Sequence, residues 1–175
     1  MTLVTVTVAG HGIVFGSDSL VQSMMGPFHA PKVWCIGHSF GIAAYGNGPD
    51  GVPQAIDAFV PSSTSPQGVA TELLKLFPNQ DKMWLYVAGY ENVDPQVLLV
   101  DVHSQQIQRV NVPSPLGLFW GGLPPAKFDA FDSVNLQTAD LNEIRARTEC
   151  LIMQGALEHP SSVGGPVQFV TIQPP

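Results

Sequence analysis

Charge is what this sequence has least of. Only 12% of its 175 residues are Asp, Glu, Lys or Arg, about half of the roughly 25% usual for a soluble protein. Seven basic residues stand against fourteen acidic ones, for a net charge of −7, and the basic ones are scattered. With no basic patch to neutralise phosphates, no nucleic-acid partner is expected. No apolar run is long enough to span a bilayer, so no membrane partner is expected either. The first basic residue is Lys32, whereas a secretory signal carries its basic residues before its apolar run. Cysteine is almost absent. Cys35 and Cys150 lie in apolar contexts without metal-type spacing and read as core thiols of a reducing compartment. The cytoplasm is therefore the expected location. The five histidines have no ligand spacing, so neither a metal nor a cofactor is expected. A chain 45% hydrophobic with so few charges has surface to bury against copies of itself, which predicts a homo-oligomer.

What the chain does have is patterning. Residues 3–8, LVTVTV, alternate apolar and hydroxyl side chains, as a strand with two different faces does. AGHG is a turn signal and IVFGSDS a second strand. KVWCIG and FGIAAYG predict another hairpin, and residues 49–60 a short helix. Ser65 is placed to cap a helix over 66–77, where Val69, Leu73 and Leu76 recur at helical spacing. Strands return at MWLYVAGY, QVLLVDV, IQRVNV and LGLFWGG. Pro124 and Pro125 suit the start of a helix running into AKFDAF. Residues 139–158 read as the longest helix, with Thr138 as its cap, and GGPVQFVTI as a closing strand. This is not the strict β-α alternation of a parallel sheet. It predicts an α+β fold of antiparallel sheets packed face to face, with helices outside, in one domain over residues 1–175.

Two short motifs compete within residues 33–51. Gly37-His38-Ser39-Phe40-Gly41 has the G-x-S-x-G form of a serine-hydrolase elbow, with Asp101 and His103 or His159 available as partners. That motif needs a helix directly after Ser39, yet Gly46, Gly48 and Pro49 follow within three turns. Gly46 to Gly51 has the G-x-G-x-x-G form of a dinucleotide loop. There Pro49 removes an N–H, and the acid expected about 20 residues on falls at Glu72, inside a predicted amphipathic helix. The alternative is a hairpin turn at His38 and Ser39 that feeds a glycine loop.

Taken together, the segments resemble the proteasome β-subunit type of N-terminal-nucleophile (Ntn) hydrolase. The carriers are a threonine-led strand, TLVTVTV, a turn, and a strand ending in Ser17-Asp18-Ser19. Lys32 then opens a K-V-x-x-I strand, Tyr45-Gly46 ends the next strand, and Asp50 opens a helix. VAGYENVDPQVLLVDV resembles the family's central hairpin and HPSSVGGPVQFVTI its closing Gly-Gly strand. The resemblance implies a four-layer αββα sandwich, assembly into ring-like homo-oligomers and hydrolysis of peptide or amide substrates. It assigns Thr2 as nucleophile once Met1 is removed, Asp18 and Lys32 as its electrostatic partners, and the Gly46 N–H as oxyanion donor.

Other features of the same stretch point to a non-catalytic subunit of this fold, partnering an active paralogue. The family places apolar residues three and five positions after the threonine. Counted from Thr2 these are Thr5 and Thr7, and counted from Met1 they are Val4 and Val6. A one-residue slip reverses every side chain of a strand, so the Met1 register predicts that Met1 faces Lys32 and Thr2 points away. The family's accessory polar residues fall at Gly122, Pro160 and Val163, and its arginine at Leu20. None of these side chains can relay a proton.

Overall fold

The computed structural model describes residues 2–23, 25–47, 51–77, 82–110 and 117–175. Gly48, Pro49 and Asp50, and with them half of the dinucleotide-like loop, lie outside the described residues, as does Met1. The chain opens with β1 (Leu3–Ala9) and β2 (Gly12–Ser17), joined by a tight turn at Gly10-His11. A short hairpin of β3 (Leu20–Ser23) and β4 (Gly26–His29) follows. Next come β5 (Val33–Ile36) and β6 (Phe40–Gly46), then helices α1 (Val52–Asp57) and α2 (Pro66–Leu76). After them run β7 (Met83–Glu91), β8 (Asp94–Asp101), β9 (Gln106–Arg109), β10 (Gly117–Gly122), α3 (Leu141–Glu158) and β11 (Gln168–Ile172).

Beside the two-stranded β3–β4 ribbon, the described residues form two larger antiparallel sheets. One has the order β10-β1-β2-β11 and the other β5-β6-β7-β8-β9. Val4, Val6, Val8, Ile13 and Phe15 of the first meet Val33, Ala43, Tyr86, Ala88 and Val97 of the second in a buried inter-sheet core. On the outer side of the five-stranded sheet, Val52 and Ile56 of α1 and Val69, Ala70 and Leu73 of α2 cover Trp34, Ile42, Leu85 and Val100. On the outer side of the four-stranded sheet, α3 lays Thr148 and Ile152 over Gly16, where a Cβ would come within 2.3 Å of the Thr148 methyl. The layers are thus helices, sheet, sheet, helix. This is the predicted α+β, four-layer αββα sandwich of the Ntn-hydrolase fold.

Local chemistry accounts for the element ends. Ser65 caps α2 as expected, its hydroxyl accepting from the Gly68 N–H at 3.1 Å. The cap of α3 is Asp140 rather than Thr138. Its carboxylate accepts from the N–H groups of Asn142 and Glu143 at 2.7 and 2.8 Å, and its negative charge suits the positive end of the helix dipole. The helix expected after Pro124 and Pro125 is reduced to one 3₁₀ turn, Asp129–Phe131, none of whose residues is buried. Without an apolar face to pack, so short a segment cannot hold a helix. The β3–β4 hairpin was not foreseen, because four-residue strands around Gly26 and Pro27 carry too little alternation to read. Cys35 and Cys150 are both exposed free thiols, not core thiols. Cys35 lies on β5, an edge strand, and Cys150 on the outer side of α3, so apolar neighbours in sequence did not bury them.

Candidate active site

The site is built where β1 begins, β2 ends and β5 begins. Along β1 the even-numbered Val4, Val6 and Val8 face the inter-sheet core, and Leu3 packs toward Ile152 of α3. Alternation puts Thr2 on the inter-sheet side. There its Oγ1 donates to Asp18 Oδ1 and accepts from Lys32 Nζ. Thr2 is therefore beside Lys32, which corrects the expectation, drawn from the polar residues of β1, that Thr2 points away; Met1 lies outside the described residues. The reason is that both faces of β1 are buried. Thr5 and Thr7 turn toward the helix layer with no exposed surface, and the Thr5 hydroxyl bonds the Gly16 carbonyl at 3.4 Å. Their polarity marks no solvent face.

Asp18 is wholly buried and heavily bonded. Its Oδ1 also accepts from the Leu3 N–H at 2.8 Å. Its Oδ2 accepts from the N–H groups of Leu20 and Gly164, each at 3.2 Å, and from Lys32 Nζ at 2.9 Å. Burying a carboxylate is expensive unless its lone pairs are met, and here three backbone donors, a hydroxyl and an ammonium meet them. Lys32, with 7% of its side chain exposed, spends its three ammonium protons on Asp18 Oδ2, Thr2 Oγ1 and the Leu20 carbonyl, the last at 2.5 Å. Burial holds its pKa below the usual 10.5, while the Asp18 charge and hydrogen bond pull it back up. The ammonium is thus aimed at a hydroxyl oxygen, a placement from which a cation can stabilise negative charge.

Gly46 stands apart from this cluster. The Ala44 N–H of β6 donates to the Lys32 carbonyl at 2.9 Å, and Gly46 lies two residues beyond Ala44, about 7 Å further along the strand. Its φ of +96° is a glycine conformation, and a Cβ there would lie 2.1 Å from the Lys82 carbonyl oxygen. Beside it, the Tyr45 ring stacks on Trp84 and Tyr86 at 5.5 and 5.7 Å. That ring also packs against Gly121, which pairs with Val4 of β1. The strand end carrying Gly46 is therefore held close to the strand carrying Thr2.

Gly122, where the family has a serine, has φ +92°, and a Cβ there would sit 1.7 Å from the Thr2 carbonyl oxygen. A serine does not fit this backbone. Val163 is buried with Leu3 and Ile152, a position that takes an apolar side chain. Ser39 lies in the β5–β6 turn, exposed, and β6 rather than a helix follows it. The serine-elbow reading is thereby overturned. Among the described residues no group of three His, Cys, Asp or Glu is placed to hold a metal ion, and no helix is long and apolar enough to cross a membrane.

The sequence reading missed Gly164, the Leu20 carbonyl and Gln168. Gln168 Oε1 accepts from the Lys32 N–H at 2.9 Å. Backbone groups leave no trace in residue letters, and a glutamine on the last strand carries no signal that it reaches Lys32.

No family model and no curated protein matches the sequence. Solved structures do match over the fold. Anbu, an ancestral beta-subunit, from Yersinia bercovieri superposes with a TM-score of 0.71 at 14% identity, covering 98% of this chain and 82% of that one. Anbu from Hyphomicrobium sp. strain MC1 gives 0.70 at 14% identity with the same coverage, 98% and 82%. Thiobacillus denitrificans BPH in complex with epoxomicin gives 0.66 at 14% identity, covering 99% of each chain. The chain therefore has the proteasome-like Ntn-hydrolase fold that Anbu and BPH also have.

Proposed function

We propose that the chain, as one domain, is a threonine-type amidohydrolase or peptidase whose nucleophile is Thr2, exposed by loss of Met1. The observation that carries this reading is the bonding of the Thr2 hydroxyl between Asp18 and Lys32. Once the preceding peptide bond is cleaved, the Thr2 α-amine is free to take the hydroxyl proton. Oγ1 attacks the substrate carbonyl carbon, forming a C–O bond while the carbonyl oxygen becomes an oxyanion. The Gly46 N–H is the proposed donor to that oxyanion. Collapse breaks the C–N bond, and the leaving amine takes the proton from the Thr2 ammonium. Water, deprotonated by the same amine, then hydrolyses the ester and restores the hydroxyl. Lys32 stabilises the oxygen through the first step, and Asp18 keeps Lys32 charged.

The low charge of the surface and the Anbu beta-subunit likeness support self-association into a ring-like homo-oligomer. The two free thiols suit a reducing, cytoplasmic setting. A second reading is a non-catalytic ring or scaffold subunit, favoured by Gly122, Pro160 and Val163 in place of the family's polar residues.

Epoxomicin, present in the Thiobacillus BPH structure, separates the two readings. A hydrolase is expected to lose Met1 by intact mass and to gain an epoxomicin adduct that peptide mapping places on Thr2. Protein that keeps Met1 and stays unmodified refutes the hydrolase and leaves the scaffold subunit. Light scattering at micromolar concentration tests assembly, and a monomer ends the ring proposal.

A further inference from the structure

Lys32 stands immediately before β5, an edge strand with β6 on one side only. Pro31 precedes Lys32 and brings no N–H. Pro31 lies before β5 itself, and β6 meets Lys32 through its carbonyl, which accepts from the Ala44 N–H at 2.9 Å. The opposite sheet supplies a partner for the Lys32 N–H. Gln168 opens β11 in register with Ser17 of β2. Ile13 and Phe15 of β2 and Val170 and Ile172 of β11 face the inter-sheet core, so alternation turns Ser17 and Gln168 to that side too. The Gln168 amide then brackets Pro31. Its Oε1 accepts from the Lys32 N–H at 2.9 Å and its Nε2 donates to the Ala30 carbonyl at 3.1 Å. The two backbone partners dictate which amide atom is oxygen and which is nitrogen. The same Oε1 accepts from the Ser17 hydroxyl at 3.3 Å. One side chain thus imitates a β-strand partner for the residues around Pro31. It also touches the residue before Asp18 and the backbone of Lys32, the two members of the buried ion pair.

We propose that Gln168 is a positioning residue that sets Lys32 against the Thr2 hydroxyl by clasping the backbone on either side of Pro31. Its effect on reaction rests on the hydrolase reading above, whereas its effect on Lys32 does not. A displacement of about 1 Å in a catalytic group is enough to cost on the order of 100-fold in rate, so a clasp on the Lys32 backbone belongs to the site although it touches no substrate.

Two variants separate the clasp from simple stability. Gln168→Met keeps the length of the side chain and removes all three hydrogen bonds. Gln168→Glu keeps an oxygen for the Lys32 N–H and the Ser17 hydroxyl, but replaces the donor to Ala30 by a second carboxyl oxygen that faces the Ala30 carbonyl. The first readout is hydrogen exchange of the Lys32 amide, measured against amides of β1. Gln168→Met is expected to speed Lys32 exchange by about tenfold or more with the β1 amides unchanged, and Gln168→Glu to restore most of the protection. The second readout is titration of the Lys32 ammonium, followed by NMR with labelled lysine, of which the chain has four. Its midpoint is expected to rise toward 10.5 in Gln168→Met as water reaches the group, because burial is the larger cause of its lowered value. The third readout is the rate of epoxomicin addition. It should fall about tenfold or more in Gln168→Met at unchanged half-saturating concentration, and recover in Gln168→Glu. Unaltered Lys32 exchange in Gln168→Met overturns the inference. If that variant does not fold, unaltered Lys32 exchange in Gln168→Ala, which also removes all three hydrogen bonds, overturns it equally. Faster Lys32 exchange with an unchanged addition rate also overturns it. If the unsubstituted protein forms no adduct at all, the hydrolase reading fails, and the clasp is judged on exchange and titration.

Discussion

Two hydroxyls in this chain sit in sequence contexts that read as nucleophiles, and their surroundings are opposite. Thr2 is 5% exposed, and its oxygen lies between a carboxylate and an ammonium brought from 16 and 30 residues away. Ser39 is exposed at the tip of a tight turn, with Gly37 and His38 at φ +58° and +62°. Its hydroxyl donates to the Gly37 carbonyl, two residues back at 3.3 Å. The local motif around Ser39 is the fuller of the two, and it activates nothing. Around Thr2 hardly any motif exists, and every partner comes from elsewhere in the chain. Reactivity is set by groups that stabilise charge on the oxygen, and a five-residue pattern does not supply them.

The contrast breaks hardest if the threonine is removed. Thr2→Ala is expected to abolish turnover of small acyl-amide substrates and epoxomicin addition, and Lys32→Ala to lower both by about 10²- to 10⁴-fold. Steady-state rates and intact mass check this, and residual turnover in Thr2→Ala at the unsubstituted rate would falsify the assignment. A second test bears on the buried pair. Asp18→Asn leaves the Lys32 ammonium buried without its counter-charge, at a cost of about 3–5 kcal/mol in urea unfolding. The double variant Asp18→Asn/Lys32→Met is expected to regain part of that loss, and a double variant less stable than Asp18→Asn would show that the pair is not coupled. Gly46→Ala comes next. It forces a side chain into a φ of +96° against the Lys82 carbonyl, a strain of about 1–3 kcal/mol, and its unfolding midpoint should drop accordingly.

The smallest expected effect is electrostatic. Burial lowers the Lys32 pKa from 10.5 in the folded chain. Between the lowered value and 10.5 the unfolded state holds a proton that the folded state has released, so stability rises with pH across that window. Lys32→Met lacks the titrating group, and its stability should change less with pH there. Urea unfolding at stepped pH up to 10.5 measures the difference, and equal slopes would mean that Lys32 is not desolvated. Ser39→Ala serves as the reference in each of these measurements, with no change expected in rate or stability.

How much of this was legible in the residues differs from element to element. The hairpins of β1–β2 and β5–β6, the Ser65 cap and the long final helix follow from local alternation, turn glycines and capping chemistry. Those signals survive folding because they are short-range. The orientation of β1 was misread for a physical reason. Apolar–polar alternation orients a strand only when one face meets water, and β1 lies between a second sheet and α3 with neither face exposed. Thr2, Asp18 and Lys32 were named through the family resemblance, and the structure brings all three together. Gly164 and the Leu20 carbonyl act through the backbone, and Gln168 meets Lys32 across 136 residues of sequence. Neither kind of contact has a local pattern to announce it.

The long reach of those contacts has a consequence in time. The ion pair beside Thr2 is completed by the Gly164 N–H, and the backbone of Lys32 is met by Gln168. During synthesis, residues 1–32 emerge well before residues 164–172, so the hydroxyl near the start of the chain has no complete set of partners until β11 has paired with β2. Such distant pairings are the slow ones to form. On the proposed hydrolase reading, a half-made or half-folded chain therefore carries Thr2 without the partners that would arm it. The assembly order of the fold would then keep the proposed chemistry silent until the sandwich has closed.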